Sequence, residues 1–137
     1  MGYETKLSGE IEIHPHIPWK YVRESVFLPE NAVKGARLHG RDIMFRIAEH
    51  TDETDDGTLT WKSAVALVPT HRGYAGGIIK HVQEVVDAFP EFDFSEGRID
   101  AEGEGDGSGE PDIWRVKVIN RVARQFRPKL IWPEESE

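Results

Sequence analysis

The residues best placed to do chemistry lie between Val68 and His81. There Val68-Pro-Thr-His-Arg-Gly73-Tyr-Ala-Gly76-Gly77-Ile-Ile-Lys80 reads as a strand, a glycine-rich turn and the start of a helix. Such a turn aims free backbone N–H groups at an anion. His71, Arg72, Lys80 and His81 would add positive charge around Gly73, Gly76 and Gly77, so the chemistry expected is binding of a phosphate or nucleotide, with hydrolysis as its extension. The spacing matches neither the phosphate loop ending in Gly-Lys-Ser/Thr nor the dinucleotide GxGxxG. A flexible turn leading into a helix explains the same residues.

Metal chemistry is less supported. His14 and His16 fall on one side of an extended segment, and His71 and His81 flank the turn. Catalytic zinc uses three such ligands and an open position, but no HExxH spacing occurs, so no metal site is predicted. Asp100, Glu102, Glu104 and Gly105 open like a calcium loop, yet the twelfth position is Pro111 where a bidentate Glu is required. The absence of cysteine excludes disulfides, thiolate nucleophiles and Cys-ligated zinc. No nucleophile elbow, ordered Ser/His/Asp set or carboxylate pair on an apolar background stands out. The balance favours a protein that is not an enzyme and needs no cofactor.

The elements that must position these residues are legible from periodicity. Tyr3, Leu7, Ile11 and Ile13 alternate with polar residues as a half-buried strand. The prolines at 15 and 18 then predict an irregular excursion over residues 14–41, with a short helix near Trp19 to Glu24. Ile43, Phe45 and Ile47, then Leu59, Trp61, Val65 and Leu67, predict a β-hairpin around the acidic tip 51–57, and Pro69 ends its second strand. Ile78, Ile79, Val82, Val85, Val86 and Phe89 form one helical stripe that Pro90 stops. Three more strands are expected at about 98–104, 113–119 and 122–132, with Asn120-Arg121 closing a tight hairpin. The prediction is an α+β fold: a single antiparallel or mixed sheet of about five to six strands, ordered β-(irregular)-ββ-α-βββ, with one main helix on one face. Residues 1–133 would form one domain and 134–137 an acidic flexible tail.

Charge is segregated along the chain. Residues 91 to 112 hold nine acids against Arg98 alone, whereas 113 to 133 hold six bases and no acid. Cross-strand pairing on a solvent face is the plain explanation. The sharper one is a docking surface for a charged partner that uses Arg115 and Lys117. Trp19 and Trp132, each set beside a proline, are candidate anchors of the same interface. A formal charge of −8 opposes general attraction to nucleic acid or anionic lipid. No stretch reaches the roughly 18 apolar residues of a spanning helix, and neither a signal segment nor a membrane role is expected.

Met1-Gly-Tyr, Ser8-Gly-Glu-Ile11, Ile17-Pro-Trp19, Phe27-Leu-Pro-Glu-Asn-Ala32, Ala66-Leu-Val-Pro-Thr70, His81-Val-Gln-Glu-Val-Val-Asp87, Glu102-Gly-Glu104, Asp112-Ile-Trp-Arg115 and Ile131-Trp-Pro133 span nearly the whole chain. Together they resemble a family of small uncharacterised proteins from actinobacteria and their bacteriophages. The resemblance implies no assigned activity. It does imply an accessory role in host interaction, by binding a host or virion protein in the cytoplasm. Two further expectations stand beside it: anion binding at the 71–80 turn, and mimicry of nucleic acid by the acidic 91–112 region.

Overall fold

The alternating apolar positions build strands that close on one another in register. The computed structural model describes residues 5–28, 42–70, 77–103, 112–129 and 133. In chain order the elements are β1 (Thr5–Pro18), α1 (Trp19–Val22), β2 (Ile43–Thr54), β3 (Gly57–Pro69), α2 (Ile78–Ala88), β4 (Asp93–Gly103), β5 (Asp112–Ile119) and β6 (Val122–Phe126). The strands form one open sheet in the order β2-β3-β1-β4-β5-β6, and every neighbouring pair is antiparallel. The α+β expectation therefore holds in outline only: the described residues are mostly sheet, and one of the two helices is a single turn. None of the described helices is long and apolar enough to cross a membrane.

One face of the sheet is the core. Ile11, Ile13 and Ile17 of β1, Phe45 of β2, Leu67 of β3, Ile99 of β4 and Val116 of β5 are buried there with Ile78, Val82, Val85 and Val86 of α2. Each such side chain contributes about 1.5–3 kcal/mol by leaving water. Helix α2 comes nearest to β2 and β6, the two edge strands, so the sheet curves round it. A ring-to-ring path from Phe27 through Phe45 to Phe89 seals one side, each pair meeting edge to face.

Several boundaries differ from expectation for identifiable reasons. Strand β1 does not end at the prolines but runs to Pro18. Between Glu12, opposite Ala66, and Ile17, opposite Ala64, the chain bulges, and Pro15 sits where no ladder donor is required. Strands β2 and β3 extend into the acidic tip, leaving only Asp55 and Asp56 as the turn. Opposed pairs such as Thr51 with Thr60 suit an exposed ladder. Strand β4 begins at Asp93, five residues early, because Phe94 anchors its start in the core. Gly97, at φ +88, lets β4 pass so close to β1 that a Cβ there would lie 2.3 Å from the Glu10 carbonyl oxygen. Strand β6 stops at Phe126 instead of reaching 132. The expected tail at 134–137 and residues 29–41 of the expected excursion lie outside the described residues.

The β5–β6 turn is the tight hairpin expected at Asn120-Arg121, with φ of 52° and 65°. Positive φ is unfavourable for a side chain as large as arginine. Here it aims the guanidinium at the open end of α2, where it donates to the carbonyls of Val86, Phe89 and Phe92. Gln83 completes the joint by accepting the Ala123 N–H and donating to the Arg121 carbonyl.

Candidate functional site

Of the residues expected to bind an anion, His71, Arg72, Gly73 and Gly76 lie outside the described residues, while Gly77, Lys80 and His81 are placed at the start of α2. Gly77 donates its N–H to Oδ2 of Asp42 at 2.8 Å. The positive end of the helix is thus turned toward a carboxylate of the protein itself. Asp42 also donates its own N–H to Nδ1 of His81 at 3.0 Å, which leaves that nitrogen an acceptor and puts the neutral ring's proton on Nε2. Burial pushes the Asp42 carboxyl above its ordinary range, against the opposing pull of the Gly77 N–H and His81. A Cβ at Gly77 would lie 2.5 Å from Oδ2, so only glycine fits this approach. The chemistry available here is a structural cap joining α2 to the chain before β2. Sequence spacing gave no sign of it, because Asp42 is 35 residues away.

The segregated charge meets across the sheet as expected. Asp100 on β4 stands opposite Arg115 on β5 and accepts from its Nε at 2.7 Å. The Arg115 guanidinium, and then Arg98, hold the Asp100 carboxyl below the usual range despite partial burial. Arg127 reaches Asp112 at 2.8 Å. On the second edge, Arg46 bonds both oxygens of Glu10 at 2.6 and 2.8 Å, across the buried Ala66 of β3. These pairs account for Arg115 as structure.

Lys117 is different. On the face turned away from α2 it stands directly opposite Arg124, and neither cation pairs with a carboxylate among the described residues. Ile119 opposite Val122 lies beyond them, and Phe126 and Ile113 before them, all exposed on the same face. Like charges directly opposed weaken a sheet, and exposed branched and aromatic side chains add nothing to its core. The arrangement suits a partner that brings carboxylates and apolar surface. Arg124 was not singled out by sequence, since only the strand register reveals that it faces Lys117.

A concave feature lies where β1 leaves the sheet. Strand β1 parts from β3 after Pro18 meets Ser63, and α1 turns away, opening a cleft of about 750 Å³ lined by His16, Trp19, Lys20, His50, Trp61 and Lys62 among others. His16 stacks on His50 at 6.0 Å, and His50 stacks on Trp61 at 5.4 Å. Ser63, only 5% exposed, fixes the middle ring through a 2.8 Å hydrogen bond to Nε2 of His50. Lys62 places its Nζ 5.1 Å from the half-buried Trp19 ring. Trp19 thus belongs to this cleft and not to the β5–β6 face, while Trp132 lies outside the described residues. The histidines that converge here are His16 and His50, a pair that the expected His14/His16 alternation did not include, and they meet a tryptophan and a serine. No group of three or more metal-ligating side chains occurs among the described residues.

The acidic region 91–112 is partly engaged within the fold: Asp93 caps Ser95, and Asp100 and Asp112 hold arginines. No curated protein and no solved structure matches the chain. One family model does match, over residues 1–137, and its description is a family of unknown function.

Proposed function

The chain belongs to that family, DUF6205, and from this premise, which brings no activity with it, we propose that the protein is a non-enzymatic accessory protein that works by binding another protein. The binding surface is the outer face of β5 and β6, and the observation that carries the reading is Lys117 opposed to Arg124, neither paired with a carboxylate among the described residues. A sheet that carries this opposition and four exposed apolar residues around it gains when an acidic, partly apolar surface covers them. Lys117 was anticipated as an interface residue. Arg115, taken by Asp100, passes that role to Arg124.

The finer assignment is a phage-related accessory protein of actinobacteria that engages a host or virion protein in the cytoplasm. The motif resemblance along the chain supports it. The test is affinity capture from an actinobacterial lysate with the wild-type chain and with Lys117→Glu/Arg124→Glu. A stoichiometric partner retained by the wild type and lost by the variant supports the proposal. No partner, or one that the variant keeps, counts against it.

A further inference from the structure

The cleft beside α1 has a chemistry distinct from the β5–β6 face. Its volume of about 750 Å³ falls in the range of small-molecule pockets, roughly 300–1,000 Å³. Trp61 is 46% exposed although it is the largest apolar side chain on β3. One side of its ring is held by His50, which Ser63 locks in place, and His16 extends the same stack. The indole is therefore a positioned aromatic surface at the end of a three-ring stack, with area left for one more flat ring. Among the described residues, those lining the cleft include Lys20 and Lys62 and no carboxylate, in a chain with 25 acids and 17 Lys and Arg. Such a local reversal of charge selects an anion.

We propose that this cleft binds a nucleoside monophosphate, its base stacked on Trp61 and its phosphate held by Lys20 and Lys62. A flat ring joined to an anion satisfies both features at once. A bare phosphate leaves the indole unused, and an uncharged ring leaves the lysines unused. A base stacked on an aromatic side chain gains roughly tenfold to a hundredfold in affinity. The phosphate adds a contribution that salt weakens. The same chemistry occurs on a free nucleotide and on the end of a single strand, and the molecule's overall −8 charge favours the small ligand, which is repelled less than a polyanion.

The experiment is calorimetric titration of the full chain with the four 5′-ribonucleoside monophosphates, with a thymidine decanucleotide, with uncharged nucleosides and with inorganic phosphate. Saturable binding of at least one monophosphate is expected, with inorganic phosphate and nucleosides much weaker. Trp61→Ala should weaken it by about tenfold or more and Trp61→Phe should restore most of it. Lys20→Gln/Lys62→Gln, which removes both charges without setting a second acid opposite Glu49, should abolish it in a chain that circular dichroism finds folded. Lys117→Glu/Arg124→Glu should leave it intact, which separates this site from the protein-binding face. The proposal is overturned if no monophosphate saturates the protein, if Trp61→Ala binds as the wild type does, or if only the decanucleotide binds.

Discussion

The carboxylate of Asp42 accepts the backbone N–H of Gly77 at 2.8 Å, while the Asp42 N–H donates to the imidazole of His81. The start of α2 is thereby bound to the segment that leads into β2. Gly77→Ala should weaken this joint, because its Cβ would meet Oδ2 at 2.5 Å and displace a buried carboxylate from its donor. A loss of about 1–3 kcal/mol is expected in urea unfolding. In an Asp42→Ala background the same substitution should cost much less, since the atom it strikes is gone.

The two perturbed carboxylates predict opposite pH effects. Burial raises the Asp42 carboxyl, so between its ordinary value of 3.8 and the folded-state value the native protein holds a proton that the unfolded chain has released. Stability contributed by Asp42 therefore falls as pH rises through that window. Arg115 lowers the Asp100 carboxyl, so its contribution is present above 3.8 and is lost as pH falls through the folded-state value. Urea midpoints measured across acid pH should show the first component disappear in Asp42→Asn and the second in Asp100→Asn.

Arg121 ties the β5–β6 turn to the end of α2 through three backbone carbonyls. Arg121→Ala should cost about 1.5–3 kcal/mol, the scale of hydrogen bonds from a charged donor. Arg121→Lys should recover only part, because an ammonium lacks the planar fork that reaches several carbonyls at once. Arg121→Gly would relieve the positive φ, so a smaller loss than for alanine is expected in thermal unfolding.

The parts of this fold that sequence revealed are those set by local repetition. The α2 stripe from Ile78 to Phe89, the alternation of Ile43 and Phe45, and the Asn120-Arg121 turn each carry their signal within a dozen residues. What escaped depends on partners far along the chain. The passage of β1 beyond Pro15 relies on a bulge opposite β3, and the capping of α2 relies on Asp42 and Arg121. The cleft depends on hairpin register: His50 and Trp61 are opposite only because the turn contains two residues, Asp55 and Asp56. The acid and base blocks implied cross-strand pairing, which Asp100 and Arg115 make, but segment charge shows neither which residues pair nor that Lys117 faces another cation.

Lys117→Glu alone should create an opposite-charge pair with Arg124 and raise stability by about 0.2–1 kcal/mol. A fall in unfolding midpoint would mean that Lys117 has a structural task within the fold. This gain separates the effect of the substitution on binding from any effect on folding.

The most direct measurement is therefore the capture of a partner by the wild-type chain and by Lys117→Glu/Arg124→Glu in parallel, each checked by thermal unfolding. One acidic protein is expected in stoichiometric amount with the wild type and absent from the equally folded variant. Equal recovery by both chains, or recovery by neither, would contradict the proposed function.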